Sequence, residues 1–577
     1  MKKPEKIVVV GGVAGGMSAA ARARRLSESA QIVVLERDAY VSFANCGMPY
    51  HVGGEIENRS ALLVQTPASL AENLNLDVRV GNEVVGIDPS AKTVTVRDLN
   101  DGTTYTETYG KLVLATGASP LRPSLPGIDY PLVHTLRSLE DMDAIKEVVD
   151  AGQGRAVVIG GGYIGIEMAE ALRYRGWEVS LLEAADQVLG PLDPEMAEQV
   201  QHELRRNGVE LHLGASAQGF TEDSVLTCEG VLPADLVMLA IGVAPDSRLA
   251  QLAGLETTAR GAIVVDPHQR TSDPDIYAVG DSVQVTDTVT GQQTVVPLAG
   301  PANRQGRVAA DHMFGRDARY SSTQGTSIVK VFDVTAGGTG ANEKQLRTAG
   351  IDYRKVYIHP NGHASYYPGT AAMHLKLLFS PEGTVLGGQV VGYDGVDKRI
   401  DVLAVAIRAG LTVWDLAELE LAYAPPYGSA KDPINMAGFQ ASNLLDGTVT
   451  FWYPEDWGSL PEDAVVLDVR TLEENQTCAL PHSVNIPIQQ LRERIAELDA
   501  SRPVYLYCRS GFRSYLAYRV LTGHGFERVA TLSGGTMTME HAVPWLAPAF
   551  AAPTPVVTYA EDDRGCALRV LDEVPFG

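Results

Sequence analysis

Two runs of consecutive apolar residues, at 7–10 and 156–159, are each followed at once by a cluster of glycines. Uninterrupted apolar runs of this length are typical of strands that are buried on both faces of a parallel sheet. Each glycine cluster leads into a segment of helical character, and a second apolar run follows at 31–36 and at 179–183. The pattern therefore predicts two strand–helix–strand units in tandem.

The pattern of apolar and polar residues changes after Asp281. A strand-like run at 327–332 and a helical segment near 402–409 predict a separate domain of mixed α and β structure. Glycines and prolines then predict a linker, and a compact α/β unit follows. The first predicted nucleotide domain comprises residues 1–120 and 266–325, and the second comprises residues 121–265. They are followed by an α+β domain (326–445), a linker (446–461), a C-terminal α/β domain (462–550) and an unassigned tail (551–577).

The composition narrows the class of protein. With 577 residues, 45% of them hydrophobic, the chain is long enough for several globular domains. Its formal net charge of −24 argues against a nucleic-acid or anionic-membrane binder, and no stretch approaches the ~18 apolar residues of a membrane span. Its five scattered cysteines form neither a disulfide framework nor a metal-ligand cluster. We therefore expect a protein of a reducing, cytoplasmic compartment without a bound metal.

The second glycine loop carries a complete dinucleotide motif. Gly160, Gly162 and Gly165 have GxGxxG spacing, and Glu183 ends the following strand. In such a fold the glycines permit a tight turn and a close approach of the backbone, so that a pyrophosphate lies at the helix N-terminus. The acidic residue accepts hydrogen bonds from the ribose. Because Glu183 would repel a 2′-phosphate, it favours NADH over NADPH.

The first glycine loop departs from this motif at one position. Gly11 and Gly16 are present, but Val13 takes the place of the middle glycine, and Glu36 still ends the second strand. One loop of this kind is weak evidence, because many turns are rich in glycine. Two loops, each with its strand, helix and distal glutamate, indicate two dinucleotide sites.

Two further segments point to a family. The sequence Ala-Thr-Gly-Ala-Ser-Pro at 115–120 follows an apolar run, and Asp281 follows a strand and a glycine at 276–280. With both glycine loops, residues 5–445 resemble the flavoprotein disulfide reductases that have two dinucleotide-binding domains. The resemblance implies that the first loop binds FAD, that the second binds NADH or NADPH, and that Asp281 contacts the ribityl chain of the flavin.

The same resemblance implies two sets of binding residues and a fold class. The FAD set is Gly11, Gly15, Gly16, Glu36, Arg37, Thr116, Gly117 and Asp281. The NAD(P)H set is Gly160, Gly162, Tyr163, Ile164, Gly165, Glu183 and Gly242. The implied fold class is α/β, with two Rossmann-like dinucleotide-binding domains, an α+β dimerisation domain and a further C-terminal α/β domain.

Cys46 stands alone in the segment Ser-Phe-Ala-Asn-Cys-Gly at 42–47. A dithiol reductase of this architecture carries a second cysteine five positions later, where this chain has His51. The next cysteine along the chain is Cys228. We therefore expect Cys46 to form its disulfide with a small thiol rather than with a neighbouring cysteine.

The segment at 42–47 and the first glycine loop resemble those of the coenzyme A disulfide reductases. Single-cysteine NADH oxidases and peroxidases share part of the pattern, but they usually carry a histidine where this chain has Ala14. The resemblance implies coenzyme A as substrate, and its phosphates require cationic donors. The expected coenzyme A contacts are Arg22, Ser42, Asn45 and Arg304, although Arg22 also fits a solvated charge on the helix face.

Two tyrosine motifs lie in the α+β domain, Tyr-Tyr-Pro-Gly at 366–369 and Ala-Pro-Pro-Tyr at 424–427. In the family such tyrosines reach across the interface of a homodimer toward the partner's active cysteine. The resemblance therefore implies a homodimer with Tyr367 and Tyr427 as catalytic residues. The alternative is that they are buried structural tyrosines in Pro-rich turns.

A second lone cysteine, Cys508, follows an apolar strand at 504–507. The loop Cys-Arg-Ser-Gly-Phe-Arg at 508–513 resembles the active loop of the rhodaneses, and this resemblance covers residues 455–548. A loop between a strand and a helix directs backbone N–H groups inward, which stabilises a thiolate or a persulfide anion. The charges of Arg509 and Arg513 are expected to favour the thiolate further. The expected loop residues beside the catalytic Cys508 are Arg509, Ser510, Gly511, Phe512 and Arg513.

Two further observations are less specific. The segment at 479–484 matches the corresponding rhodanese segment only loosely, and some rhodanese-like domains are regulatory rather than catalytic. Cys228, Cys478 and Cys566 lie in no motif and are interpreted as ordinary structural cysteines.

Together the resemblances imply an FAD-dependent NAD(P)H:coenzyme A persulfide or disulfide reductase, whose rhodanese domain carries sulfane sulfur. The covalent fusion favours a persulfide or polysulfide, because disulfide reduction alone has no use for a sulfane carrier. Two alternatives stay open. One is an NADH oxidase, and the other is a redox or sulfur sensor that delivers sulfane sulfur to a partner protein.

Overall fold

The computed structural model describes residues 5–543, 557–561 and 567–571. The chain forms two compact units. Unit 1 holds residues 5–190 and 203–325, and unit 2 holds residues 191–202 and the described residues from 326 onward. Of the predicted tail, only the two short segments after residue 556 are described, and Cys566 lies outside the described residues.

Unit 1 begins with a parallel sheet, an antiparallel three-stranded sheet and three helices. The strands are β1 (Lys6–Val10), β2 (Gln31–Leu35), β3 (Asp77–Arg79), β4 (Asn82–Asp88), β5 (Thr93–Asp98), β6 (Thr104–Thr108), β7 (Lys111–Leu114) and β8 (Ala118–Pro120). The helices are α1 (Ala14–Leu26), α2 (Met48–Gly53) and α3 (Pro67–Leu74), with 3₁₀ turns at Asn45–Gly47 and Arg59–Leu62.

A second parallel sheet follows in the same unit. Its region contains β9 (Val133–His134), β10 (Arg155–Ile159), β11 (Glu178–Glu183), β12 (Val209–Leu213), β13 (Ala217–Phe220), β14 (Ser224–Thr227), β15 (Val231–Pro233), β16 (Leu236–Leu239) and β17 (Val243–Pro245). The helices are α4 (Leu139–Ala151), α5 (Tyr163–Tyr174), α6 (Pro194–Arg206), whose first residues belong to unit 2, and α7 (Arg248–Leu252). The unit closes with β18 (Ile276–Ala278), β19 (Val285–Thr286), β20 (Gln293–Thr294) and α8 (Ala299–Met313).

The two parallel sheets have the same layout. The first has the order β18-β7-β1-β2-β3 and the second the order β12-β11-β10-β16-β9. In each, the strand before a glycine loop is central, so it is covered on both faces. Ile7 and Val9 pack in one apolar cluster with residues of α1 and α8, whereas Val8 and Val10 pack in another with residues of β4 and β5. This double burial explains the unbroken apolar runs of the sequence.

The dimerisation-type domain of unit 2 is built on an antiparallel sheet. Its strands are β21 (Ser327–Val331), β22 (Val334–Gly340), β23 (Arg354–Ile358), β24 (Met373–Phe379) and β25 (Val385–Gly392), in the order β21-β22-β25-β24-β23. Its helices are α9 (Glu343–Ala349), α10 (Val396–Ala409), α11 (Val413–Glu418) and α12 (Pro433–Leu445). The predicted helix near 402–409 is therefore the second half of a longer helix, α10.

Lys376 of β24 lies at the centre of a buried ion cluster. Its side chain is fully buried, and its Nζ lies 2.7 Å from Asp193 Oδ2 and also forms ion pairs with Glu195 and Glu343. Burial favours the neutral amine, but the carboxylates outweigh it and hold the pKa of Lys376 above its ordinary value. The three carboxylates are near enough to one another for a metal ion, yet the ammonium group already lies within ion-pair distance of all three.

The rest of unit 2 is a parallel sheet with helices around it, in the order β26-β30-β29-β27-β28. Its strands are β26 (Phe451–Trp452), β27 (Val465–Asp468), β28 (Val484–Asn485), β29 (Val504–Tyr507) and β30 (Val529–Leu532). Its helices are α13 (Leu472–Thr477), α14 (Leu491–Arg494), α15 (Phe512–Gly523) and α16 (Thr536–Ala542), with 3₁₀ turns at Pro454–Ser459 and Ile495–Glu497. A hairpin of β31 (Val557–Glu561) and β32 (Ala567–Leu571) completes the described chain.

The segment 446–461, predicted as a linker, contributes an edge strand to this sheet. Phe451 and Trp452 pair with Thr531 and Leu532 of β30. Trp452 is buried, and its indole N–H donates to the carbonyl of Leu506 over 3.0 Å. The glycines and prolines around this strand flank a buried core residue, so the segment is part of the C-terminal domain and not a flexible linker.

The layers confirm the predicted fold class: two doubly wound nucleotide-type sheets, an α+β domain and a C-terminal α/β domain. Among the described residues, no helix combines the length and apolar character that a membrane span requires.

Candidate active sites

The second glycine loop, after β10, is shaped for a dinucleotide. Gly160 has φ +109°, and a Cβ there would lie 2.4 Å from the carbonyl oxygen of Ala240. A Cβ at Gly165 would lie 1.9 Å from the carbonyl oxygen of Gly160, so both positions require glycine. A Cβ at Gly162 would meet no atom within 4 Å, which leaves open space where α5 begins at Tyr163. A pyrophosphate fits such a space at a helix N-terminus.

The first glycine loop repeats this geometry after β1. Gly11 has φ +101°, and a Cβ there would lie 2.2 Å from the carbonyl oxygen of Ala115, which follows β7. A Cβ at Gly16 would lie 1.9 Å from the carbonyl oxygen of Gly11. Val13 immediately precedes α1, whose first turn holds no acidic residue. The loop therefore keeps its tight turn despite the missing glycine. The positive end of the dipole of α1 faces no acidic side chain from its own first turn.

Each loop is held by the glutamate at the end of its second strand. Glu36 accepts from the N–H of Gly12 at 2.7 Å and from that of Asp38 at 3.0 Å. Glu183 accepts from the N–H of Gly161 at 2.6 Å and from that of Ala185 at 2.8 Å. Both carboxylates therefore lie fixed against their loops with further lone pairs free for ribose hydroxyls. The residues present fit two dinucleotides.

The other predicted FAD residues lie at the carboxyl edge of the first sheet. Gly15, Thr116 and Gly117 lie on the loops and helix that follow β1 and β7, and Asp281 lies beyond β18. Burial raises the pKa of Asp281, with Arg137 opposing it. Arg37 forms an ion pair of 3.5 Å with Asp246. Ligands bind at this edge in open α/β sheets.

Two residues outside the predicted FAD set also shape this edge. The side-chain amide oxygen of Gln305 in α8 accepts from the N–H of Gly280 at 2.7 Å. Arg137 lies 3.2 Å from the carbonyl oxygen of Thr116. Arg137 lies in no motif, so only the folded chain brings it to the site.

The remaining residues predicted for the second dinucleotide lie around its loop. Ile164 follows Tyr163 in the first turn of α5, and its side chain is partly exposed. Gly242 has φ +112° and follows β16, the strand beside β10. These placements keep the predicted NAD(P)H set at the carboxyl edge of the second sheet.

Cys46 lies in the 3₁₀ turn Asn45–Gly47 that leads into α2. The preceding segment is tied to the first glycine loop, because the N–H of Ser42 donates to the carbonyl of Gly12 at 2.8 Å. His51 is buried, and its Nδ1 lies 2.6 Å from the carbonyl oxygen of Ile56, so its ring is held by the local backbone. The position where a dithiol enzyme has its second sulfur thus carries a structural histidine.

A group of arginines lies on α1, on α8 and just after α8. Arg22 is largely buried and forms two hydrogen bonds with Asp311, at 2.6 and 2.9 Å, so it is not a solvated charge on the helix face. Arg307 and Arg316 approach the same carboxylate at 3.8 and 3.7 Å, and Arg304 is exposed one turn before Arg307. Three guanidinium groups around one carboxylate leave a net positive surface that suits phosphate groups.

The two predicted tyrosines lie at the surface of unit 2. Tyr427 is 73% exposed and Tyr367 is 42% exposed, so neither is a buried structural tyrosine in this chain. Tyr366, beside Tyr367, shares a hydrogen bond of 2.8 Å between its hydroxyl and that of Tyr423. Exposed aromatic residues of this kind are typical of a surface that contacts a partner.

The Cys508 loop forms the expected cradle. Cys508 Sγ is buried and accepts from the N–H groups of Gly511 at 3.2 Å and of Ser514 at 3.4 Å, and the Ser514 hydroxyl lies at 3.4 Å. Thr531 donates to this hydroxyl at 2.8 Å, which fixes its position. Gly511 has φ +91°, the left-handed conformation that lets the loop turn into α15. Several donors directed at one sulfur favour its anionic forms.

The rim of the loop differs from the expectation in one respect. The guanidinium of Arg513 forms two bonds of 2.6 Å with Glu474 of α13, so its charge is balanced by a partner that the sequence reasoning missed. Burial opposes ionisation of Glu474, but Arg513 outweighs it and lowers the pKa to about 2. Arg509 and Phe512 are exposed and Ser510 is half-buried, which leaves these residues available to an incoming sulfur donor or acceptor.

Comparison with known families gives the identity of these units. The pyridine nucleotide-disulphide oxidoreductase family matches residues 5–306, and its dimerisation domain matches residues 326–432. The chain belongs to this family. A rhodanese-like domain matches residues 457–541 of the same oxidoreductase chain. These matches confirm the predicted recognition of a flavoprotein-type reductase joined to a rhodanese.

Individual relatives of this oxidoreductase support the same assignment. A coenzyme A disulfide reductase of Staphylococcus aureus is 35% identical over 440 residues, which cover 76% of this chain and 99% of that protein. The crystal structure of reduced CoADR-RHD from Bacillus anthracis is 45% identical, with a TM-score of 0.92, over 95% of this chain and 99% of that one. An NAD-dependent persulfide reductase from A. fulgidus is 39% identical, with a TM-score of 0.87, over 92% and 99% of the two chains.

Near Cys46 lies a carboxyl that the sequence reasoning missed. Tyr50, one turn after Cys46, donates to Glu167 of α5 at 3.2 Å. Burial raises the pKa of Glu167 to about 7, against the effect of the Tyr50 hydroxyl. The Cys46 side chain is exposed, but neighbouring protein atoms partly desolvate its sulfur, and this desolvation and then the charge of Glu167 raise the pKa of the thiol. Glu167 lies two residues after Gly165, so the second glycine loop was the only sequence signal near it.

The Glu167→Gln protein is expected to show faster alkylation of Cys46. At pH 8 Glu167 is mostly ionised, and its negative charge disfavours the thiolate; removing that charge lowers the pKa of Cys46 and raises the iodoacetamide rate about two- to fivefold. The rate is measured on the purified, reduced protein by mass spectrometry of the Cys46 peptide. Glu147→Gln, an exposed change on α4, is the matched control. An unchanged or slower rate in Glu167→Gln would show that the two groups are not coupled.

Proposed function

We propose that this protein uses NADH to reduce persulfides and disulfides of coenzyme A, with Cys46 as the reductive sulfur and Cys508 as a carrier of sulfane sulfur. The observation that carries the proposal is the pairing, in one chain, of a lone cysteine without a second thiol and a cradle for a sulfur anion. The named activities of the S. aureus and A. fulgidus relatives support the two halves of this function. The cationic surface around Arg22 and Arg304 supports a phosphate-bearing thiol.

The reaction at Cys46 is a thiol–disulfide exchange. The Cys46 thiolate attacks the coenzyme A sulfur of a persulfide, a bond forms between the two sulfurs, and hydrosulfide leaves. With coenzyme A disulfide, the same attack expels the coenzyme A thiolate. Both substrates leave Cys46 in a mixed disulfide with coenzyme A, and two electrons from NADH then restore the thiolate and release the coenzyme A thiol.

When bound, FAD would supply the electron relay between the nicotinamide and the mixed disulfide. The chain's own groups support this cycle in three ways. The hydrogen bond from Ser42 to the first glycine loop keeps the Cys46 segment beside the loop proposed to bind FAD. Glu167, with its pKa raised to about 7, is about half protonated at neutral pH and is proposed to give a proton to the leaving sulfur. Asn45 and Ser42 flank Cys46 and are proposed to contact the pantetheine arm.

Cys508 supplies the persulfide. Its thiolate attacks a sulfane sulfur of a polysulfide or thiosulfate donor, expels the shortened polysulfide or sulfite, and holds the sulfur as a Cys508 persulfide anion in the cradle. The thiolate of coenzyme A attacks the terminal sulfur, forms coenzyme A persulfide and leaves Cys508 as a thiolate. Arg509 and Phe512 at the rim are proposed to contact the donor or acceptor.

The proposal includes an assembly, a compartment and a nucleotide preference. The exposed Tyr367 and Tyr427 support a homodimer in which they reach the partner's Cys46 and protonate or hydrogen-bond the leaving sulfur. Thiolate chemistry at two lone cysteines supports a cytoplasmic, reducing environment. Glu183, fixed against its loop, supports NADH, since a 2′-phosphate would meet its negative charge.

The test follows sulfur through both cysteines under anaerobic conditions. With coenzyme A persulfide, each NADH is expected to yield one hydrosulfide and one coenzyme A thiol. With polysulfide plus coenzyme A, the Cys508→Ser protein is expected to lose about 100-fold or more in rate, because serine forms no persulfide. With preformed coenzyme A persulfide, it is expected to keep the wild-type rate.

Cys478→Ser, which changes a cysteine of the same domain that lies outside the Cys508 loop, is the matched control for this test. Full activity of Cys508→Ser with polysulfide would contradict the carrier role. Rapid oxygen consumption by the wild type without any sulfur substrate would favour an NADH oxidase instead. Slow turnover on every small sulfur substrate would favour the sensor.

A further inference from the structure

The back of the Cys508 loop is held by α16. The carbonyl oxygen of Cys508 accepts from the N–H of Thr536 at 2.9 Å, and that of Arg509 accepts from the N–H of Met537 at 3.0 Å. In a trans peptide the N–H of the next residue points opposite to the carbonyl. Holding these two carbonyls toward α16 therefore directs the N–H groups of Arg509 and Ser510 away from it, toward the cradle side of the loop.

The segment between β30 and α16 is in turn packed against β23 of the dimerisation-type domain. The hydroxyl of Ser533 accepts from the N–H of Tyr357 at 3.1 Å. His359, which follows β23, places its Nε2 2.8 Å from the hydroxyl oxygen of Thr538 in the first turn of α16. All these residues belong to unit 2. The sheet of one domain thus reaches the helix that orients the active loop of the other.

This contact is closely packed. A Cβ at Gly534 would lie 2.1 Å from Thr538 Oγ1 and 2.9 Å from His359 Nε2, so only glycine fits there. A Cβ at Gly535 would lie 2.4 Å from the carbonyl oxygen of Cys508. Because no side chain fits between these groups, a shift of Thr538 is passed on to the loop carbonyls.

His359 is suited to a fixed, uncharged contact. The residue is half-buried but its ring is desolvated, and this desolvation, with smaller contributions from His541 and Arg509, lowers its pKa to about 3. Its ring packs edge-on against His374 of β24, with the centroids 4.6 Å apart. At neutral pH the imidazole is therefore a neutral hydrogen-bonding group held in one orientation.

We propose that His359 is a positioning residue for sulfur transfer at Cys508. Through Thr538 it fixes the first turn of α16, which fixes the carbonyls of Cys508 and Arg509 and so the N–H groups that face the bound sulfur. The inference rests on the proposed role of Cys508 as sulfur carrier. Through His359, the geometry of the Cys508 loop depends on the antiparallel sheet of the neighbouring domain.

The experiment compares His359→Ala, Thr538→Val and the double variant in the full-length protein. The pH midpoint of Cys508 alkylation, followed by mass spectrometry of its peptide, is expected to rise by about half a unit to one unit in each, the size of effect that one lost hydrogen bond produces. The double variant is expected to shift no further than either single one, because both break the same chain of contacts. His359→Gln, which keeps a hydrogen-bonding group, is expected to restore at least half of the shift.

Thr522→Val is the matched control, because the Thr522 hydroxyl donates to the carbonyls of Tyr518 and Arg519 in its own helix. Reduction of coenzyme A disulfide at Cys46 reports in the same samples whether the chain is folded. Midpoints equal to wild type in folded His359→Ala and Thr538→Val would overturn the inference, even if their thermal stability falls. If instead Cys508→Ser keeps full sulfur transfer from polysulfide, the proposed carrier function itself fails.

Discussion

The Cys46→Ser protein is expected to lose at least about a thousandfold in the anaerobic rate of NADH-dependent reduction of coenzyme A disulfide. A serine hydroxyl cannot form a mixed disulfide, and among the described residues no second cysteine lies at the position five residues later to replace it. The rate is measured by NADH absorbance and by release of free thiol. The same loss is expected with coenzyme A persulfide, now followed as hydrosulfide.

Cys228→Ser provides the control for this result. Cys228 is an exposed cysteine of unit 1 in no motif, so its replacement is expected to leave both rates within about twofold of wild type, as for an ordinary surface substitution. Retention of full rate by Cys46→Ser on both substrates would remove the thiol from the mechanism and leave a flavin-only oxidase as the better interpretation.

The Lys376→Met protein is expected to unfold with a free energy lower by about 3–5 kcal/mol, because removing one partner of a buried ion cluster leaves uncompensated charges. Here three carboxylates, those of Asp193, Glu195 and Glu343, lose their common cation. Methionine fills a similar volume, so the loss reports charge rather than packing. Urea unfolding of the full-length protein, followed by tryptophan fluorescence, measures it.

Lys146→Met is the matched control for the buried charge. Lys146 forms an ion pair with Asp150 on the surface of α4, at 3.2 Å and with i,i+4 spacing. Such a pair contributes about 0.3–0.5 kcal/mol. Equal destabilisation by the two substitutions would mean that the cluster around Lys376 is solvated and contributes no more than a surface pair.

The parts of the fold that could be predicted are those with a local physical signature. Strands buried on both faces give unbroken apolar runs, and tight turns beside a helix need glycine, so Gly11, Gly160 and Gly165 were visible in the sequence. The Lys376 cluster had no such signature. Its carboxylates lie about 30 to 180 residues before Lys376, and their pairing with it exists only after the antiparallel sheet has formed.

The interpretation of 446–461 as a linker shows that turn residues in a sequence can hide a buried element. Glycine and proline mark turns correctly, but they do not show whether the residues between them are buried. Trp452 was the available signal, since a large aromatic residue is rarely left exposed in a flexible connection. The structure places it in the core of the C-terminal sheet.

In the candidate sites, too, the local motifs could be predicted from the sequence, whereas the contacts between distant residues could not. Cys46 and Cys508 lie in contiguous motifs, so their loops could be recognised residue by residue. Their partners Glu167 and Glu474 come from other helices, and only folding brings them near. Arg513 shows the cost of reading a charge from sequence alone: its guanidinium was expected to act on the sulfur, but it forms a salt bridge with Glu474.

The place of Trp452 in the C-terminal sheet limits how the two halves of this chain can be separated. A fragment that starts after Pro461 lacks β26, so the edge of β30 is left without its neighbour and the site of the indole becomes a void. Bare strand edges recruit strands from other molecules, which leads to aggregation. A recombination event that moves the rhodanese domain into a new host protein must therefore include β26, and with it Trp452.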